Sequence, residues 1–397
     1  MVICNRRSFM GAARPLAAAL AFTFAATVTL AQDAEDIVDG AITERVLENG
    51  TPREAPQRWS HTGLLRGRDL SPFGLLRLDM LPAHTADAEA GTWAFEILYS
   101  YQNTFVMSEN VRDYLGQRNI GRQPLRPEDA AALLALPGDA YYVDGEVGYA
   151  DLIVQHRIND YWSVYLTMPY IHYGSGMLDS TIESFHDTFG FSQQGRDLVA
   201  RNQFQIVYGI GDVRFAMLDR DTEGGFGDPV LGIRYSLPEP RFGWDVVVEL
   251  AAKFAIEGER FLLSTGRHDY GAQITLQRRL GETGRHAVYL SGSGVYYAGG
   301  PEIPGDKSEL IPTLIVGYSY GLTPTTSVIL QGYASESVIQ KTTLEELKEE
   351  KYQLSLGVQS RGKNILWSLA VTENVSNFNN TPDIGVQAGI AYMPRAK

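Results

Sequence analysis

The 397-residue chain has a single cysteine, Cys4. No intramolecular disulfide, thiol nucleophile with a resolving partner or cysteine-ligated metal centre follows from one thiol. A surplus of base is also missing. Lys and Arg number 34 against 47 Asp and Glu, a formal charge of -13. That excludes the basic face a nucleic-acid reader needs, and no nucleic-acid partner is expected. After the N-terminal stretch no apolar run reaches about 18 residues, so no helix is expected to span a membrane. An exported chain without such a helix is either soluble or a strand barrel, because in lipid every backbone group must be paired.

What is present begins with "MVICNRRSFMGAARPLAAALAFTFAATVTLAQDAED". Arg6, Arg7 and Arg14 form a positive flank, residues 15–30 an apolar stretch, and Ala31 a small residue before a cleavage point. Residues 1–31 therefore read as a secretory signal, which would remove Cys4. "NRRSFM" resembles a twin-arginine signal, and the choice between that route and general secretion stays open. Residues 32–60 are acidic and polar and read as poorly ordered. Residues 61–91 are apolar in patches but without period, a candidate to enter a lumen, and residues 92–397 carry the barrel pattern.

That pattern is strict alternation. In "TWAFEILYSYQN" Trp93, Phe95, Ile97, Tyr99 and Tyr101 share one face, and Ala94, Glu96, Ser100 and Gln102 the other. "WDVVVELAAKFAI", "DYGAQITLQRRL", "KYQLSLGVQS" and "NILWSLAVTEN" repeat the period of two. One side is too charged for a sandwich core, and the other too apolar for water. A transmembrane barrel satisfies both, with aromatics at the interfaces. The expected fold is all-β: a transmembrane antiparallel up-and-down β-barrel of about twelve strands with a helix-bearing long outer loop. Strands are expected near 92–103, 140–158, 161–173, 226–237, 243–256, 268–280, 286–298, 310–321, 326–335, 350–361, 363–374 and 383–393. Short links alternate with long ones, as in outer-membrane barrels. A soluble β-sandwich is the alternative fold. "TTLEELKEEK" reads as a short loop helix with Thr343 and Glu346 at capping-box spacing.

One helix stands out. "MLDSTIESFHDTFGF" places Leu178, Ile182, Phe185 and Phe189 on an apolar stripe and Asp179, Glu183 and His186 opposite, with Gly190 as stop. The expectation is that the stripe packs on the barrel wall and the polar face meets water or the lumen, the helix narrowing the outer mouth. Together with "LSPFGLLRLDMLP", "YSYQNTF" and "GFGDPVLGIRY", the region "GSGMLDSTIESFHDTFGFSQQGR" resembles an uncharacterised family of Gram-negative proteins of about 300–350 residues, classed as a domain of unknown function and regarded as outer-membrane barrels. The likeness runs from about residue 62 onward. It implies location and architecture, and brings no catalytic residue.

The expected lumen-lining residues are Glu96, Arg157, Arg234, Asp245, Glu249, Lys253, Gln273 and Arg279. Their mixed signs suit either a narrow polar passage or cross-linked side chains. Asp179, Glu183 and His186 have the spacing of a helix-borne metal site, but a di-metal bundle needs a second such helix. No metal, cofactor or catalytic residue is expected. A lipid hydrolase would need His156 and Ser163 to meet. The expected function is passage or binding of a small solute through a polar lumen, with a lipid-acting enzyme or a non-conducting structural barrel as alternatives. Expected partners are outer-membrane lipid, an unidentified small solute and the barrel-assembly machinery.

Overall fold

Period-two alternation with β-branched and aromatic residues on one face favours strands that pair through their backbones. The computed structural model describes residues 59–84, 88–118, 120–190, 192–218, 224–256, 260, 262–281, 283–299, 310–376 and 381–394. The expected signal segment 1–31 and acidic segment up to residue 58 lie outside the described residues. Twelve strands form an antiparallel ring: β1 (Trp93–Met107), β2 (Ala140–Arg157), β3 (Trp162–Gly174), β7 (Val230–Ser236), β8 (Asp245–Lys253), β9 (Asp269–Leu280), β10 (His286–Tyr296), β11 (Leu310–Thr323), β12 (Thr326–Ser335), β13 (Lys351–Arg361), β14 (Ile365–Ser376) and β15 (Ile384–Tyr392). Successive members are neighbours, and β1 pairs with β15, Phe95 opposite Tyr392 through Asn103 opposite Ile384. Closure leaves no free edge for lipid to desolvate.

Three short strands lie outside the ring. β4 (Gln205–Ile210) and β5 (Val213–Met217) form a hairpin that extends the long-loop end of β2, Ala140 opposite Gly209. β6 (Gly225–Phe226) pairs with β3. The stretch expected as one strand over 226–237 is thus two pieces. Pro229, which has no N–H to give the ladder, separates them. The long links also hold helices that alternation does not reveal: α1 (Glu109–Gln117), α2 (Pro127–Leu134), α3 (Asp179–Phe189) and α4 (Glu345–Lys348). The capping box expected at Thr343 does not form. Leu344 caps α4, and Thr343 pairs instead with Asp139 across the loops.

The outer wall is an apolar band between two aromatic rims. Trp93, Trp162, Trp367 and Tyr392 are exposed near the short-turn end, and Tyr99, Tyr170, Phe226, Tyr270 and Tyr296 near the long-loop end. Leu152, Leu166, Leu231, Leu250, Ile274, Leu330, Leu356 and Leu369 lie exposed between them. From Trp93 to Tyr101 the strand rises about 26 Å along its own axis at ~3.3 Å per residue.

The lumen face is covered by the chain's own residues 59–84. Ser60 N–H donates to the Pro324 carbonyl at the β11–β12 turn (3.0 Å), and His61 Nε2 donates to the Gly284 carbonyl at the β9–β10 turn (2.8 Å). The chain climbs from there to Phe73, whose ring meets Tyr141 and Tyr208 edge-on at the long-loop end. It then descends past Leu78 and Met80 along β9, and Glu89 N–H reaches the Pro394 carbonyl before β1 begins. Wall glycines make room for it. A Cβ on Gly317 would lie 2.3 Å from Leu64, and one on Gly357 2.9 Å from Leu65. Phe73 also joins Val338, Ile339, Leu347 and Ile210 in the apolar cluster that covers the long-loop end.

Gly317→Val is expected to push Leu64 out of its slot at a cost of about 1–3 kcal/mol, the range for overpacking a filled interior. Trypsin should then cut the folded protein faster at Arg66 and Arg68, with far-UV circular dichroism unchanged. Equal protection in variant and parent would contradict this packing.

Candidate functional site

Neighbouring residues of a strand point to opposite sides, and β1 shows how the two sides are used. Gln102 faces the lumen and its Oε1 accepts from Leu70 N–H (3.2 Å). Asn103 faces outward and its Nδ2 donates to Glu146 (3.2 Å) and Asp179 (3.1 Å). One candidate site is therefore the lumen interior, and the other lies on the external face above the apolar band.

Asp69 is the hub of the lumen site. Its carboxylate accepts from Arg77 Nη1 (2.8 Å), from Lys351 Nζ and from the Ser71 backbone (3.0 Å). Arg77 Nη2 donates to the Tyr333 hydroxyl (2.8 Å). Asp69 lies on the climbing limb, Arg77 on the descending limb, and Lys351 and Tyr333 on the wall. Arg68 makes a two-pronged pair with Asp151 (3.0 and 2.9 Å) and lies over the Tyr149 ring. All of these side chains are buried.

The expected lining residues fall into three groups. Glu96, Lys253 and Gln273 touch the lumen segment: Glu96 pairs with Arg66 and His84, Lys253 donates to the Leu76 carbonyl (2.6 Å) and pairs with Asp269 (2.8 Å), and Gln273 donates to the Met80 carbonyl (2.6 Å). Arg234 and Glu249 pair with each other within the wall, beside Gln155 and the Tyr165 hydroxyl. Arg157, Asp245 and Arg279 sit toward the short-turn end. Arg157 donates to Ser236 (3.1 Å), Asp245 is half-buried, and Arg279 is exposed near Gly284. Sequence pattern gave no sign of Asp69, Arg77, Arg68 or Lys351. The one signal was a cluster of charge in an otherwise apolar, aperiodic stretch, "RGRDLSPFGLLRLD".

α3 keeps Ile182 of the expected apolar stripe inward but otherwise reverses the expected facing. Asp179, Ile182 and Glu183 are buried, while Met177, Phe185 and Phe189 are exposed at 79, 46 and 64 %. Nor does α3 cross the mouth. It docks on the external face of β1 and β2, where Glu146 accepts from the N–H groups of Met177 (2.8 Å) and Leu178 (2.6 Å). The cause is charge supplied from outside the helix, by Arg122 of the β1–β2 link and by Arg196 and Arg201 farther along the link that carries α3. Arg196 binds Asp179 (3.1 Å), and Arg122 and Arg201 both bind Glu183. An apolar stripe wins only when the polar face has no better partner. Gly190 ends the helix in the left-handed conformation at φ 74°. His186 is half-exposed beside Phe185. With Asp179 and Glu183 claimed by guanidinium groups, the three do not converge as ligands.

His156 and Ser163 do not meet. His156 faces outward, stacked on Trp93 at 4.5 Å with Nδ1 donating to the Thr92 carbonyl (3.1 Å). Ser163 is fully buried on the lumen face opposite Arg157. The wall separates nucleophile from base.

Burial alone would raise the Glu183 carboxyl, but hydrogen bonds from Arg122 and Arg201 outweigh it and hold the group down at about 2 rather than 4.5. A depressed carboxylate contributes stability above its unfolded value and loses it as pH falls through the folded one. The α3 dock should therefore keep full strength above about pH 4.5 and loosen progressively toward pH 2. Glu183→Gln at pH 7 should weaken it by ~2 kcal/mol, the scale of hydrogen bonds to charged groups. Hydrogen exchange of residues 179–189 measures both. Unchanged exchange in Glu183→Gln would exclude the latch.

Comparisons with known proteins add the following. No curated protein matches the chain. Among solved structures, a COG4313 outer membrane channel from Pseudomonas putida F1 is similar at a TM-score of 0.45 and 10 % identity, covering 80 % of this chain and 98 % of that one. The P. putida toluene transporter TodX aligns at 0.37 and 9 %, covering 76 and 89 %. Outer membrane phospholipase A from Escherichia coli aligns at 0.32 and 10 %, covering 76 and 92 %. Residues 125–393, more than half of the chain, match a family model, and the chain belongs to that family, described as protein of unknown function, DUF3187.

Proposed function

We propose that this protein is an outer-membrane channel for a small solute, held closed by its own residues 59–84. The observation that carries the reading is the chemistry of the interface between that segment and the wall. Beside its apolar contacts it carries buried charges paired across it, Arg66 with Glu96, Arg68 with Asp151 and Asp69 with Lys351, and no disulfide ties the segment to the wall. Replacing a buried ion pair by apolar side chains is often neutral or stabilising, so a permanently filled barrel has no energetic need of charges here. A wall that must also meet water does. When the segment shifts, Glu96, Asp151 and Lys351 can exchange their partners for water and line a hydrated path. Export and insertion into the outer membrane belong to the same reading, supported by the apolar band and its aromatic rims.

The decisive experiment is single-channel recording in planar lipid bilayers. The intact protein should be closed for most of the time. A variant lacking residues 59–84 should give discrete, long-lived steps. Asp69→Asn keeps the shape of the hub but leaves Arg77 and Lys351 without their shared carboxylate, and should raise the opening frequency at least about tenfold, equivalent to ~1.4 kcal/mol. No current from any of the three would overturn the channel reading in favour of a filled, structural barrel.

A further inference from the structure

Where α3 leaves the wall it opens a groove of about 560 Å³ on the external face. One side is Gly174–Ser175–Gly176–Met177, and the other is the wall itself, with Tyr99 and Tyr101 of β1, His172 of β3, and Val386 and Ala388 of β15. The side chains of Tyr99, Tyr101, His172, Val386 and Ala388 lie on the outward alternation of their strands, the same face that carries Phe95, Ile97, Leu166 and Ile390. The groove is thus continuous with the apolar band and opens at its long-loop rim.

Its wall is built with care for flatness. Gly148 lies between Tyr101 and His172 in the register, and a Cβ there would sit 1.8 Å from the His172 ring. The missing side chain lets His172 lie against the sheet, parallel to Tyr99 (centroids 6.0 Å, 6°) and near-parallel to Tyr101 (6.0 Å, 27°). Small residues on the loop side and on β15 leave the slot open. The size suits a ligand of modest volume, within the ~300–1,000 Å³ usual for small-molecule sites. Met177, Phe185 and Phe189 extend an exposed apolar surface beyond the slot.

We infer that this groove is a lipid site: it seats an acyl chain of a membrane lipid that enters sideways from the bilayer. Continuity with the lipid-facing band names the occupant. Tyr99 and His172, whose Oη and Nε2 lie 3.4 Å apart, stand at the rim where a glycerol ester would lie. The groove has no Lys or Arg among its lining residues, so an uncharged linkage rather than a phosphate is the recognised part. The inference rests on the membrane location proposed above, but not on conduction.

The test is native mass spectrometry of protein reconstituted in phosphatidylethanolamine vesicles and released into mild detergent. Recovery of the protein in floated vesicles checks membrane insertion separately. The parent should retain one phosphatidylethanolamine through detergent exchange. Ala388→Trp fills the slot, and Met177→Asp places a carboxylate on a highly exposed side chain of its loop side. Each should lower retention at least about tenfold. Ala272→Trp adds the same bulk to the band away from the groove and should retain lipid as the parent does. Absence of retained lipid from inserted parent protein, or equal retention by Ala388→Trp, Met177→Asp and Ala272→Trp, would overturn the site.

Discussion

The carboxylate of Asp69 holds the interior together. It touches the climbing limb of the lumen segment, its descending limb and the barrel wall at once, through Ser71, Arg77 and Lys351. Buried among two cations and a tyrosine, it is charged by necessity. Removing the carboxylate leaves the buried charges of Arg77 and Lys351 without their shared partner, a loss of the order of 3–5 kcal/mol. The hairpin shape of residues 59–84 follows from that arithmetic. The segment turns at Phe73 because Asp69 and Arg77 must return to each other, and the turn places an aromatic ring at the long-loop end, where the loops supply an apolar cover.

Alternation across the wall then divides the molecule into two independent interfaces. Inward side chains deal with the segment, and outward ones with lipid or, above the band, with helices. Phe105, Met107 and Tyr142 belong by parity to the outward face but are buried, because α1 and α2 cover them with Val111, Leu115, Ala130 and Leu133. The same strand can therefore face lipid at Ile97 and a packed core at Phe105. Nothing in the strand changes between the two positions except what lies outside it.

This division explains what the amino-acid sequence discloses. The twelve ring strands were legible because each carries its own pattern: Phe95, Ile97 and Tyr99 alternate with Glu96, Leu98 and Ser100 whatever lies elsewhere. The expected bounds 326–335 and 140–158 match β12 and β2 closely for that reason. The lumen segment has no period because it is neither strand nor helix. Its partners lie far along the chain, Arg77 with Tyr333 and Asp69 with Lys351. α3 was legible as a helix and as one ending at Gly190, but its facing was not. A stripe of Phe185 and Phe189 outweighs Asp179 and Glu183 on any hydrophobicity count, until Arg122 arrives from another loop and Arg196 and Arg201 from farther along the same one. Charge pairing at a distance in sequence is the information that periodicity lacks.

On the proposed channel reading, the interior also constrains how the barrel behaves when its segment moves. Lys253 has a wall partner in Asp269, and Arg234 has one in Glu249. Those groups stay neutralised when the segment departs. Glu96, Asp151 and Lys351 do not, since their partners Arg66, Arg68 and Asp69 leave with it. Three uncompensated charges cannot face a dry cavity, because an isolated buried charge costs far more than the barrel's margin of stability. The lumen must therefore fill with water as it empties of protein, and the two events are one transition. A wall of purely apolar residues would have allowed a dry, collapsed intermediate. On the proposed channel reading, this wall makes closed-and-filled and open-and-wet the two states of low energy, the physical property that a channel gated by its own chain requires.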